Sequence, residues 1–283
     1  MPVSSVPDTI NGTGRGVDGV RRGVGPDFIE ALARGLEVLR CFQPRQPTMP
    51  LSDIATATGL ARPTARRILL TLQELGYVAV GERGYTLTPR VLDLGMAYIG
   101  SQGLWDVARP HMEALVKQTG ESSSMAQLDG SDIIYVARVA VPKIISLAVT
   151  LGTRFPATVT SQGRVLLAAL APEELHDVLG QPSRSGVTPR REPDAAQLDV
   201  ALQEVRARGW AVADEDLAAG IRSVAVPVRD GTGRVIAAMN VTVHAAETSL
   251  ETLTQEHLPK LLHAASAISA DWADWQRTQV VIS

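Results

Sequence analysis

Arg62, Arg66, Arg67 and Arg83 fall within residues 48–89, TMPLSDIATATGLARPTARRILLTLQELGYVAVGERGYTLTP. A guanidinium is a planar cation whose N–H fork matches a phosphate or the acceptor edge of guanine. Turned to one side together, such groups make a surface for a polyanion. Scattered, they are ordinary solvated charges. The elements that carry them decide which.

RPTARRILLTLQELG reads as a helix, with Pro63 in the first turn, where a missing N–H does no harm, and Gly76 closing it. At about 100° per residue, Ala65, Ile68, Leu72 and Leu75 form an apolar stripe. Arg62, Arg66 and Gln73 lie roughly opposite, Arg67 flanks them, and Leu70 falls on the polar side. A shorter helix, LSDIATATG, comes first, with Ser52 able to cap it and Gly59 ending it. Two helices joined by the short TGLAR connection, the second carrying arginines outward, make a helix-turn-helix whose second helix enters the major groove. YVAVGERGYTLTP then reads as a β-hairpin turning at GERG, with Arg83 at its tip, which completes a winged helix-turn-helix. Arg62, Arg67 and Arg83 suit phosphates, while Thr64 and Arg66 suit base edges. A three-helix module that docks protein is the competing reading. Arginine placement, the wing and the charge distribution favour double-stranded DNA.

Upstream, DFIEALARGLEVLRCFQ repeats Phe28, Ile29, Leu32, Leu36 and Leu39 at helical spacing, with Asp27 as a cap. Pro44, Pro47 and Pro50 forbid a regular helix after it. Residues 1–26, rich in Gly, Pro and polar side chains, are expected to form a disordered tail. Its Arg15, Arg21 and Arg22 either brush a phosphate backbone or stay solvated. After Pro89, RVLDLGMAYIGSQG is helical with Val91, Leu94, Gly95 and Tyr98 on one face. It is a simple linker, or it also pairs with its counterpart in a second subunit, as a dimer reading paired half-sites requires.

The chain's 283 residues, 45% hydrophobic and 20% charged, allow two globular domains. The net charge of −3 is unevenly spread: Met1 to Arg90 holds 11 basic and 8 acidic residues, net +3, leaving −6 for the rest. Only the first part suits a polyanion. Cys41, the single cysteine, reads as core and fits a reducing compartment. No run approaches 18 apolar residues and no long apolar segment opens the chain, so neither a transmembrane helix nor a signal peptide is expected and the protein should be cytoplasmic.

The expected divisions are 1–26 for the tail, 27–89 for the DNA-binding domain, 90–103 for the linker helix and 104–283 for an α/β domain. In the last, LWDVARPHMEALVKQTG, SQGRVLLAAL, PEELHDVLG, DAAQLDVALQEVRARG and a stretch from about Leu250 to Trp275 read as helices. SSMAQLDGSDIIYVARV and SVAVPVRDGTGRVIAAMNVTV read as hairpins, and IISLAV as a strand. TLGTRFPATVT and residues 181–193 read as loops, and WAVADEDLAAGIR as mostly irregular. Helices alternating with hairpins imply an α+β fold with an antiparallel sheet.

No enzyme, metal site or cofactor is expected. His111, His176, His244, His257 and His263 show no HExxH spacing, and GxSxG and P-loop motifs are absent from the sequence. The carboxylates of DEDLAAG read as a solvated loop. A ligand pocket has more support. Along VIAAMNVTV, Met239 and Val241 share one face and Asn240 and Thr242 the other, where they either bind a small polar ligand or are merely wet. TSQG opens a helix with Thr160, Ser161 and Gln162, where N–H groups either receive a carboxylate or belong to an ordinary N-cap.

Taken in order, RGLEVLRCF, LSDIATATGLARPTARRILLTLQELGYV, YTLTPRVLDLG, GTRFPATVTSQGRVLLA, RGWAVADEDLAAGIRSVAVPV and VIAAMNVTV resemble the IclR family of transcriptional regulators over about residues 28–275. IIYVARV and GTRFPATVTSQGRVLLA are most similar to the branch regulating protocatechuate, β-ketoadipate and 4-hydroxybenzoate catabolism. The resemblance implies a winged helix-turn-helix, a linker helix and a GAF-like effector domain. It also implies homodimers that often pair into tetramers, and control by a small carboxylate effector. It places effector contacts on Ser161, Gln162, Ser223, Asn240 and Thr242. Where many members carry two successive acids before a third, this chain has Ala213 before Asp214 and Glu215, which points away from very small keto acids and toward an aromatic acid or a dicarboxylate. The rival class is a metabolite-binding sensor or enzyme whose first domain docks protein.

Overall fold

The computed structural model describes residues 25, 27–43, 46–142 and 149–282. The chain divides into two compact units, Met1–Ser101 and Gln102–Ser283.

In the first unit, α1 (Glu30–Arg40), α2 (Leu51–Thr58) and α3 (Arg62–Glu74) enclose a core of Val38, Met49, Ile54, Leu69, Leu72 and Val78. The half-buried Cys41 packs against it. Asp27 does not cap α1, because the helix starts at Glu30 behind Ile29, which makes no side-chain cap bond. Nor does most of the apolar repeat face the core: Phe28, Ile29, Leu32 and Leu36 are exposed, and Val38 is the buried residue. Helical spacing identifies an apolar face but not what covers it.

Ser52 lies inside α2 rather than at its cap, where Pro50 stands, and its hydroxyl instead bonds Asp53. Gly59 ends α2 with φ 65°, as a left-handed cap requires. In α3 the buried positions are Ala65, Leu69 and Leu72, with Ile68 at the edge, while Leu75 is 51% exposed. The true stripe is therefore rotated toward Leu69. Gly76, at φ 78°, closes the helix as Tyr77 N–H reaches back to Leu72 O at 2.8 Å.

The wing is β2 (Val78–Gly81) and β3 (Gly84–Leu87), joined across Glu82-Arg83. A further strand, β1 (Thr48–Met49), pairs with β3 and completes a three-stranded sheet. Two residues between prolines are too few to show a period. Gly84 is obligatory here: its φ is 130°, and a Cβ would lie 2.4 Å from Met49 O. α4 (Val91–Gln102) follows, with every side chain from Leu92 to Tyr98 exposed.

The second unit is built on a six-stranded antiparallel sheet of order β6-β5-β4-β9-β8-β7. The strands are β4 (Ser122–Asp129), β5 (Asp132–Val139), β6 (Arg154–Pro156), β7 (Ala211–Asp214), β8 (Ile221–Arg229) and β9 (Val235–His244). Two stretches expected to be irregular thus contribute short edge strands. β6 lies in TLGTRFPATVT and pairs with β5, and β7 lies in WAVADEDLAAGIR and pairs with β8. The expected strand IISLAV falls, except for Val149, outside the described residues, as does the N-terminal tail apart from Gly25.

One sheet face is covered by α5 (Leu104–Thr119) and α10 (Leu258–Ile282) over Met112, Leu115, Met125, Met239 and Ile268. The other is covered by α6 (Ser161–Ala168) and α8 (Ala195–Arg208) over Ile133, Leu167 and Leu202. α7 (Pro172–Leu179) links those two helices. Asp194 caps α8 in a capping box with Gln197. The last helix starts as α9 (Leu250–Thr252), passes a π-helical turn at Leu253–His257 and runs to Ile282, beyond the expected end at Trp275.

Candidate DNA-binding surface and effector cleft

Arg62, Arg66, Arg67 and Arg83 are all exposed, and among the described residues none of them is held in an ion pair. Thr64 is half-buried and Leu70 is exposed beside the arginines. Arg90 differs from these four: its Nη1 donates to Leu75 O at 2.9 Å. Thr88 Oγ1 donates to Gly76 O at 2.5 Å. These two bonds fasten the end of α3 to the segment leaving the wing, so the helix and the hairpin are presented as one body.

A cleft opens on the α6 side of the sheet in the second unit, with an empty volume of about 790 Å³ including its open mouth. Ser161, Gln162, Ser223, Asn240 and Thr242 all line it. On β9 the alternation holds: Met239 and Val241 enter the core on the α5 and α10 side, while Asn240 and Thr242 face the cleft. Thr160 is an ordinary N-cap of α6, accepting from Gly163 N–H at 3.1 Å. Gly163 packs so closely that a Cβ would lie 2.1 Å from Ala157 O.

A hydrogen-bond network joins the cleft floor to the sheet. Ser161 Oγ and Ser223 Oγ are 2.7 Å apart. Asn240 Nδ2 donates to Thr242 Oγ1 at 3.0 Å, and Asn240 Oδ1 accepts from Ser124 N–H at 3.1 Å. Gln162 Nε2 donates to both Ser124 O and Ala238 O at 3.0 Å. Gln162 thereby ties α6 to β4 and β9, and its amide protons are spent on that tie.

Sequence reasoning missed Arg138. Strict alternation along β5 puts Tyr135 and Arg138 on opposite faces. The register with β4 slips between Met125 and Ala126, which pair with Ala137 and Tyr135 and leave Val136 as the extra residue of a β-bulge. The bulge reverses the parity, so Tyr135 and Arg138 both line the cleft while Ala137 packs under α5 and α10. Arg138 Nη1 donates to Ser124 Oγ at 2.8 Å. Burial pulls its pKa down, against the pull of Tyr135. Burial pushes the Tyr135 phenol up to about 12, Arg138 opposing. The IIYVARV stretch held this signal, but only cross-strand pairing reveals it.

The carboxylates of DEDLAAG are not simply solvated. Asp214 pairs with Arg222, Asp216 with Arg164 at 2.8 Å, and Glu215 with Arg190 at 2.7 Å. Glu215 has φ 57° and also accepts Gly220 N–H at 2.9 Å. That N–H, with Arg190 and Arg222 nearby, holds the Glu215 carboxyl below its ordinary range. These bonds fix a loop whose neighbours Ala213, Leu217 and Ile221 line the cleft, so the acids act as struts while Ala213 faces the ligand space.

The IclR helix-turn-helix domain matches residues 31–81, and the bacterial transcriptional regulator IclR C-terminal domain matches residues 96–270. The Pca regulon regulatory protein of Pseudomonas putida is 42% identical over 241 residues, covering 85% of this chain and 83% of its own. The p-hydroxybenzoate hydroxylase transcriptional activator of Acinetobacter baylyi is 32% identical, covering 86% and 91%. A solved structure from a Rhodococcus species is 47% identical with a TM-score of 0.75, over 87% of this chain and 99% of that one. An IclR homologue from Microbacterium hydrocarbonoxydans, solved with 4-hydroxybenzoate, has a TM-score of 0.73 at 26% identity, over 86% and 98%. With exposed arginines on a winged helix, a polar cleft on an antiparallel sheet and both domain matches, this chain belongs to the IclR family of bacterial transcriptional regulators.

Proposed function

We propose that this regulator acts in the bacterial cytoplasm on genes of aromatic-acid catabolism, with a small carboxylate as effector. The relatives named for the Pca regulon and for p-hydroxybenzoate hydroxylase, and the homologue that holds 4-hydroxybenzoate, support that class of effector. The observation that carries the reading is the cleft itself, a polar floor of Ser161, Ser223, Asn240 and Thr242 under apolar walls. Gln162 orders that floor. Residues 27–89 bind DNA, residues 90–103 link, and residues 104–283 sense. Arg62, Arg67 and Arg83 hold phosphates, and Thr64 and Arg66 read bases.

Paired half-sites need a homodimer, with a dimer of dimers as the next level of assembly. The exposed apolar side chains of α1 and α4, among them Leu32, Leu36, Leu92 and Met96, favour such pairing. The effector binds one arrangement of the dimer better than another, and that difference in affinity shifts the spacing of the DNA-binding domains.

The test is fluorescence anisotropy on the gene's own upstream DNA at fixed salt, with and without protocatechuate, 4-hydroxybenzoate or β-ketoadipate. Tight binding shifted by one of them supports the reading. Binding no tighter than to random DNA overturns it. Tight binding unmoved by all three keeps the regulator and discards the effector class.

A further inference from the structure

We propose that Arg138 anchors the effector's carboxylate and, as the lone unpaired cation of the described lining, limits the effector to one carboxylate on a flat ring. This inference rests on the effector cleft proposed above and names the ligand that the cleft selects.

A guanidinium carries five N–H donors. Of these, Arg138 commits one to Ser124 Oγ, and among the described residues no carboxylate pairs with it. A half-buried cation without a counter-ion is costly unless a ligand supplies the charge. The fold goes out of its way to put it there, since the bulge at Val136 turns it to the cleft side of β5. Beside it stands Tyr135, held edge-on against Phe155 with ring centroids 5.8 Å apart. Val159, Leu217 and Ile221 supply apolar walls. A planar aromatic acid meets these surfaces: its carboxylate takes the fork of Arg138 and its ring lies against Tyr135.

The rest of the described lining offers no second lysine or arginine to a second carboxylate. Ser161, Ser223, Asn240 and Thr242 are neutral. His244 Nδ1 is already taken up by Ala246 N–H at 3.2 Å. A hydroxyl substituent, by contrast, finds partners all along the floor.

The test is calorimetric titration of the full chain with 4-hydroxybenzoate, its uncharged analogue 4-hydroxybenzamide, and adipate as the dicarboxylate. The wild type should bind the acid at least tenfold more tightly than the amide and more tightly than adipate. Arg138→Gln should abolish the preference for acid over amide, costing the acid far more affinity than the amide. Arg138→Lys should restore part of it. Equal loss of acid and amide in Arg138→Gln, survival of the preference, tighter binding of adipate, or no binding of 4-hydroxybenzoate by the wild type would each overturn the proposal. Anisotropy on the upstream DNA with both proteins separates this outcome from failure of the regulator reading, because Arg138→Gln should bind that DNA as the wild type does.

Discussion

Ser161 Oγ and Ser223 Oγ lie 2.7 Å apart, joining the first turn of α6 to β8 at the floor of the cleft. Both side chains are buried, so the bond has little competition from water. Ser223→Ala leaves the Ser161 hydroxyl short of a partner and should cost about 1 kcal/mol of stability. If an effector also uses this pair, the same change weakens effector affinity by roughly two- to tenfold. Thermal melting and calorimetry on the variant read the two effects separately. A melting shift with no change in affinity would confine the pair to a structural role.

Arg66 and Arg83 divide the DNA-binding task in a way that salt can reveal. Arg66 lies on the outer face of α3, and Arg83 at the turn of the wing. Arg66→Ala should cost about 1–3 kcal/mol on the operator and much less on random DNA. Arg83→Ala should weaken both alike and lower the slope of log affinity against log salt by about 1. Anisotropy titrations at several salt concentrations check both, and uniform loss in Arg66→Ala would make it a phosphate contact.

What was legible in the sequence had short-range causes. The hairpins showed through their turns, such as DGTG before β9, and Asn240 and Thr242 showed through the two-residue period of a strand. Gly59 and Gly76 marked helix ends because left-handed backbone there favours glycine. The failures had long-range causes. Arg138 was invisible because a bulge resets the parity of β5, and a bulge is a property of two strands. β6 and β7 hold three and four residues and exist only because β5 and β8 offer free edges. The outward-turned apolar side chains of α1 look like core until burial is known.

Gly163 permits the approach of α6 to the turn before it. A Cβ on Gly163 would sit 2.1 Å from Ala157 O and 2.4 Å from its Cα, both backbone atoms that cannot swing away. Gly163→Ala therefore forces α6 off its seat and should destabilise the effector domain by about 1–3 kcal/mol or more. The first turn of α6 carries Ser161 and Gln162, so effector affinity should fall with stability, while DNA binding without effector persists. Melting followed by tryptophan fluorescence is a direct readout, since all four tryptophans, Trp105, Trp210, Trp272 and Trp275, lie in this unit.

The Tyr135 phenol should ionise late, well above the ordinary range of a tyrosine. The chain has four, and burial pushes the Tyr135 phenol up to about 12 from an ordinary value near 10. Between those values the folded protein keeps a proton that the unfolded chain has released. Stability contributed by this group is therefore complete below about pH 10 and lost as pH rises toward 12, by roughly 2–3 kcal/mol across the window. Absorbance at a phenolate wavelength, followed against pH, should show a late step that Tyr135→Phe removes. Because Arg138 opposes the shift, Arg138→Gln should move that step to still higher pH. A step that ignores Arg138→Gln would mean the two side chains do not share the cleft wall as their common lining implies.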